Sequence, residues 1–344
     1  MLNFEKVINT LKVKQEITLS NEFKSKHWKK YIDNKFLKIN TSTLENFRNN
    51  GFSDGLDNAR LVNEEYLKNY FDKFKYKIDE LEYNYEEIIK KFDKKNIGKN
   101  KIFIKEKEQF IDTLQIDHMY LYILIDKLIL RKTKKIQTIL EIGGGYGDLA
   151  RIILLQKNFK YFFVDLKENL LLQIYFLNMS CPDLRIYINN RDALTKQDLN
   201  DHDLFFFTPE AISQVLNDVK IDLFINSSSF AEMEKKTIKM YFEFIQKRLN
   251  IGGYLFNSNR YFKDSVGQKI RLCDYPYDKF WEVKYSENIF MSRRLHCLIT
   301  ERTTNKNEEI RGALQLIEQL TKNHEYPKLI PVWLMKIVRI FKKK

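Results

Sequence analysis

Glycine, proline, cysteine and histidine are all scarce in this chain, with 11, 5, 3 and 5 of them among 344 residues. So little glycine and proline excludes a collagen-like or low-complexity polymer. The three cysteines, Cys181, Cys273 and Cys297, are widely spaced, with no CxxC pair and no histidine at metal-finger spacing. That excludes a disulfide scaffold and a zinc ribbon, and structural thiols are expected. Long apolar runs are missing too. The longest, LYILIDKLIL, is interrupted by Asp126 and Lys127 and falls far short of the roughly 20 residues that span a bilayer. The N-terminal MLNFEKVINTLKVKQE alternates apolar with charged residues and lacks the continuous apolar stretch of a secretory signal, so a cytoplasmic protein is expected.

What the chain does have is 44% hydrophobic residues, enough for a sizeable core, and a net charge of +13. The positive balance raises the question of a nucleic-acid or membrane partner. Most lysines, however, are interleaved with Glu and Asp as on solvated helices, and no Arg/Lys stripe with clustered aromatics stands out. No nucleic-acid partner is expected.

Residues 1–115 contain almost no glycine and read as a helical region. In LVNEEYLKNYFDKFKYKIDEL the apolar Leu61, Tyr66, Leu67, Tyr70, Phe71 and Phe74 recur at three- and four-residue intervals, one face of a helix. From 116 to 305 the texture changes to alternating strands and helices. IQTILEIG, KYFFVDL, LRIYINN, IDLFINSS and IGGYLFNSN are short apolar runs, and FWEVKYSE and RRLHCLITER follow as two closing strands. Runs covered on both faces are what parallel strands look like. The expected fold is therefore α/β, a doubly wound, mostly parallel sheet of seven strands with an N-terminal helical region. Residues 306–344 form a polar helix and a basic tail.

Four of the eleven glycines are concentrated in EIGGGYGDLA, between a strand and a helix. Bare backbone there lets the chain turn sharply and lets a ligand approach the main chain, beside the positive end of the following helix. The NAD fingerprint needs glycine at its first, third and sixth positions, but the sixth from Gly143 is Asp148. No Gly-Lys-Ser/Thr follows, so a P-loop is excluded. What remains, Glu141 at the strand end and then G-x-G-x-G over Gly143, Gly145, Tyr146 and Gly147, resembles the first motif of class I S-adenosylmethionine-dependent methyltransferases. That resemblance implies a Rossmann-like methyltransferase sheet, S-adenosyl-L-methionine as cofactor and S-adenosyl-L-homocysteine as product. It also implies roles for three later strand ends. Asp165, with Leu166, would take the ribose hydroxyls, Asp192 and Ala193 would meet the adenine, and Asn226 and Ser227 would lie beside the transferred methyl.

Four stretches look narrower than this. LENFRNNGFSDGLD, LEIGGGYGDLARIIL, VDLKENLLLQIYFL and INSSSFAEM together resemble the sugar O-methyltransferases of bacterial surface-polysaccharide gene clusters, over most of residues 20 to 305. The resemblance implies methylation of a sugar hydroxyl on a small-molecule acceptor such as a nucleotide-activated hexose or heptose, for capsule or lipopolysaccharide.

A sugar hydroxyl must lose its proton as the methyl arrives, which calls for a general base. Glu232, just beyond the fourth strand, is the best-placed candidate, and a surface or capping role is its plainer reading. His118, on the helix before the first strand, and His296 are the alternatives, since neutral imidazole suits proton abstraction near neutral pH. No carboxylate cluster follows the fourth strand, so no metal is expected. From Lys328 onward the tail carries six Lys or Arg and no acid, set among Trp333, Leu334, Ile337, Val338 and Phe341. Residues 328–344 thus suit a helix lying on the anionic inner face of a membrane. Packing on the domain or on a second subunit of a homodimer is the plainer reading and the preferred one. Two other functions stay in view. One is a nucleic-acid methyltransferase, against which N-S-S-S stands where amino-directed enzymes carry N-P-P-Y. The other is a non-catalytic scaffold docked at a membrane.

Overall fold

The computed structural model describes residues 25, 28, 29, 39–49, 63–156, 159–188, 193–264 and 267–325. The N-terminal part has a short helix α1 (Thr41–Glu45), a long helix α2 (Glu64–Glu80), a one-turn helix α3 (Tyr85–Ile89) and a small hairpin, β1 (Ile104–Glu106) with β2 (Gln109–Ile111). Asn63 starts α2 by accepting a hydrogen bond from the Tyr66 amide at 2.7 Å, and Leu67, Tyr70, Phe71, Phe74 and Ile78 form its buried face. Of the residues expected on that face, Tyr66 instead lies exposed, stacked on the Tyr70 ring, and Leu61 lies outside the described residues.

Helix α4 (Thr113–Ile125) is capped by Asp112 in a reciprocal box with Gln115 and leads into the sheet. Then follow β3 (Thr138–Ile142), α5 (Asp148–Leu154), β4 (Lys160–Val164), α6 (Lys167–Ser180), β5 (Ile186–Ile188), α7 (Lys196–Asp201), β6 (Leu204–Phe207), α8 (Ile212–Val215) and β7 (Ile221–Ser227). The chain continues through α9 (Lys235–Arg248), β8 (Leu249–Arg260), a two-residue pair β9 (Phe262–Lys263) and β10 (Ile270–Arg271), β11 (Trp281–Asn288), β12 (Leu295–Arg302) and α10 (Glu309–Glu325).

The main sheet runs β5-β6-β4-β3-β7-β8-β12-β11. Strands β5 to β8 are parallel, and β12 runs antiparallel to both β8 and β11. The sheet thus has eight strands among the described residues, one more than the seven expected. The addition is β6, Leu-Phe-Phe-Phe, which slots between β4 and β5. Its four residues are all buried, so they show no alternation, and they are too few to stand out between His-Asp and Thr-Pro.

Both faces of this sheet are covered. Ile139, Tyr161, Phe163, Phe206 and Ile225 face one core, shared with α2, α4 and α6. Leu140, Phe162, Phe205 and Phe224 face another, under α9 and α10. Alternate residues on each strand therefore serve opposite cores. Aromatic pairs stack across β4 and β6 on each face, Phe163 with Phe206 at 4.8 Å and Phe162 with Phe205 at 4.6 Å.

The N-terminal part is anchored directly on the glycine loop. Phe47 is wholly buried with its ring 5.5 Å from that of Tyr146, and the Arg48 guanidinium lies 5.0 Å over the Tyr146 ring while pairing with Asp112 at 2.5 Å. Phe47→Ala is expected to cost about 3–5 kcal/mol, as for other large-to-small changes in a close-packed core. A urea midpoint unchanged from the parent would show that this anchor carries no stability.

Candidate functional site

Strand β3 is the switch point of the sheet. The strands that follow it in the chain lie on one side through β4 and on the other through β7, and ligands of open α/β sheets bind beyond the carboxyl ends at such a crevice. The glycine loop sits there. Gly143, Gly145 and Gly147 all have positive φ, at 74°, 59° and 97°. Each meets a different surrounding. A Cβ on Gly143 would lie 1.9 Å from Ser229 Oγ, so β3 and the segment after β7 meet through a missing side chain. One on Gly147 would press on Leu177 of α6 at 3.2 Å, and Gly147 itself caps α5 in the left-handed conformation. One on Gly145 would meet nothing within 4 Å. The open side of the loop is therefore at Gly145, and a ligand can lie against the backbone there.

The strand-end carboxylates flank this opening. Glu141 is buried and accepts a hydrogen bond from the Tyr161 hydroxyl at 2.9 Å. Burial pushes its carboxyl up to about 7, against the pull of that hydrogen bond. Asp165, beyond β4, is also buried and also pushed up to about 7 by burial. It accepts from the Leu166 amide at 2.7 Å, from Asn169 Nδ2 at 2.9 Å and from Gln173 Nε2 at 2.8 Å. Gln173 Nε2 also donates to the Gly145 carbonyl at 3.1 Å, tying the two halves of the site together. Asn169 and Gln173 were not singled out from the sequence. Their signal was there, since Asn169, Gln173 and Leu177 follow Asp165 at four-residue steps, a stripe along α6 turned to the loop.

Asp148, the first residue of α5, has no exposed side chain, and Arg151 Nε at 2.8 Å and His118 Nδ1 at 3.1 Å flank its carboxylate. Burial works against its charge, but Arg151 and His118 outweigh it and hold the carboxyl down at about 2. An ionised carboxylate only accepts, so the proton of neutral His118 sits on Nδ1 and the lone pair on Nε2. Among the described residues Nε2 makes no hydrogen bond.

The remaining expected residues are placed as follows. The Tyr146 side chain is core, packed against Phe47 and Phe176 at 5.5 and 4.7 Å, which leaves only its backbone to face a ligand. Leu166 joins β4 to α6. Asn226 is wholly buried and binds the Ile142 carbonyl, the Phe230 amide and Asn259, so it stitches β7 to the end of β3. Ser227 pairs with Ser258 on β8. Asp192 lies outside the described residues; Ala193, just after it, is exposed and follows β5, which β6 separates from β4. Glu232 sits in a turn after β7 and pairs with Lys263 Nζ at 2.6 Å. His296 is buried with Nδ1 beside the Tyr261 hydroxyl and Nε2 beside the Ser286 hydroxyl, both at 2.9 Å, and burial lowers its pKa to about 4. With both nitrogens occupied it offers no free base, unlike His118.

Among the described residues no group of three His, Cys, Asp or Glu side chains is placed to hold a metal ion, and no helix is long and apolar enough to cross a membrane. Residues 328–344 lie outside the described residues.

No family model and no curated protein matches the sequence. Solved structures similar to it include the mitomycin 7-O-methyltransferase MmcR, at 10% identity and TM-score 0.35, covering 49% of each chain. The pyocyanin biosynthetic protein PhzM is similar at 11% identity and TM-score 0.37, over 53% of this chain and 54% of that one. The glycopeptide N-methyltransferase MtfA complexed with S-adenosyl-L-methionine is similar at 12% identity and TM-score 0.34, over 51% and 90%. This chain thus spans about half the length of the first two.

Three substitutions test the site. Glu141→Gln removes a carboxyl whose folded pKa, about 7, exceeds its unfolded value of about 4.3. The folded state then binds more protons than the unfolded one between those values, so the parent loses stability as pH rises through that window. The variant should gain in urea midpoint over the parent at pH 8 and much less at pH 4; a pH-independent difference would refute the shift. Gly143→Ala should destabilise strongly because Ser229 blocks it, while Gly145→Ala should cost only the strain of a left-handed alanine, about 1–2 kcal/mol. Equal losses in thermal denaturation would contradict this division of the loop.

Proposed function

We propose that this chain is an S-adenosylmethionine-dependent O-methyltransferase acting on a sugar hydroxyl. The observation that carries the reading is the left-handed glycine loop at the switch point, open at Gly145 and flanked by Asp165 at the neighbouring strand end. The groups present fit such a cofactor. The space at Gly145 admits an aliphatic chain against bare backbone, and Asp165 supplies an acceptor for ribose hydroxyls. When bound, the cofactor supplies a methyl group on a sulfonium, open to displacement by an oxygen nucleophile.

The chain's own part is to position the acceptor and take its proton. His118 suits the second task. Its Nε2 lone pair would accept the proton of the acceptor hydroxyl, and the ionised Asp148 behind Nδ1 would stabilise the imidazolium that results. Glu232, neutralised by Lys263, is the weaker candidate. The sugar as acceptor, a nucleotide-activated hexose or heptose for capsule or lipopolysaccharide, rests on the sequence motifs alone.

Three measurements test the proposal. Asp165→Ala should weaken S-adenosylhomocysteine binding by roughly 100-fold in calorimetry, as expected for lost hydrogen bonds to a charged acceptor. His118→Gln should lower turnover at least about 100-fold, the low end for general-base loss, with cofactor affinity nearly kept. A larger loss for Glu232→Gln than for His118→Gln would move the base to Glu232. Incubation with unlabelled S-adenosyl-L-methionine and a panel of nucleotide sugars, read by mass spectrometry, should give a product about 14 Da heavier; transfer to none of them removes the sugar reading.

A further inference from the structure

Gln173 has no exposed surface, and its Nε2 donates to two acceptors at once, the Gly145 carbonyl at 3.1 Å and Asp165 Oδ2 at 2.8 Å. That fixes the orientation of the amide, because turning it over would set its oxygen against two oxygens. Oε1 is therefore committed to the other side of the amide, where it is buried and has no hydrogen-bond partner among the described residues. A buried acceptor left without a donor is costly and marks a place that something else completes.

Asp165 shows what that something is. Its Oδ1 already accepts from the Leu166 amide and from Asn169, so only Oδ2, with one bond from Gln173, has room for a further donor. A ribose brings two adjacent hydroxyl donors, one more than Oδ2 can take. We propose that Gln173 Oε1 accepts a hydrogen bond from one ribose hydroxyl while Asp165 Oδ2 accepts from the other, so that the diol is read by two side chains. This rests on the cofactor reading above. It makes Gln173 a specificity-determining residue, one that holds Gly145 and Asp165 at a fixed spacing and tells a ribonucleoside from a deoxynucleoside at the same place.

The test is calorimetric titration of the full-length protein with S-adenosylhomocysteine and its 2′-deoxy and 3′-deoxy analogues. For the parent, each analogue should bind about tenfold more weakly. In Gln173→Met the penalty for one analogue should vanish while that for the other persists. In Asn169→Ala, which removes a donor from Asp165 but no acceptor from the ligand, both penalties should stay. Two persisting penalties in Gln173→Met would overturn the proposal, as would a parent that binds all three ligands equally. A parent that binds none of them would sink the cofactor reading and this proposal with it. Should Gln173→Met fail to fold, a crystal structure of the parent with S-adenosylhomocysteine decides: a ribose hydroxyl within about 3.0 Å of Oε1 supports the proposal, and a water in that place overturns it.

Discussion

One ionised carboxylate with no exposed side chain, Asp148, holds the site in shape. It is the first residue of the helix that leaves the glycine loop, where the helix dipole favours a negative charge. Arg151, one turn on, neutralises it and donates to the Lys91 carbonyl, and His118 reaches it from the helix before the sheet. A lone buried charge would be ruinous, and the buried Arg151 guanidinium would be as costly alone. The three together fasten the loop to α4 and to the N-terminal part, so the loop's position is set from outside the sheet as well as within it.

A second layer of fastening comes through uncharged groups. The amide of Gly143 donates to the Val164 carbonyl, Asn226 binds the Ile142 carbonyl, and Gln173 binds that of Gly145. Residues from β4, β7 and α6 thus each grip the bend from a different direction. The price of this rigidity is a pair of carboxyls, Glu141 and Asp165, kept out of water with hydrogen bonds but, among the described residues, without a salt-bridge partner. Such carboxyls are destabilising when ionised, and their retention at the mouth of the crevice fits a role toward a ligand better than one in folding.

Much of this could be read in the sequence. The glycine cluster stood out because glycine is scarce elsewhere, and Asp165 followed because its strand, KYFFVDL, ends in a charge. The seven runs read as strands all pair in the sheet. Leu204–Phe207 escaped because a four-residue segment buried on both faces carries no period. The roles of the histidines were also beyond the sequence. His118 and His296 look alike as letters, and only their surroundings, an ionised aspartate for one and two hydroxyls for the other, separate an available nitrogen from an occupied ring. Tyr146 misled for a related reason, since a residue inside a ligand loop can turn its side chain to the core.

The extra strand has a geometric consequence. The amide of Asp165 donates to the carbonyl of Phe207, so the edge next to Asp165 belongs to the chain leaving β6, Thr208 and Pro209, one strand spacing of about 4.8 Å away. Strand β5 itself stands two spacings off, beyond β6. Order along the chain and order across the sheet therefore differ at the crevice, and the segment lying beside Asp165 begins with threonine and proline.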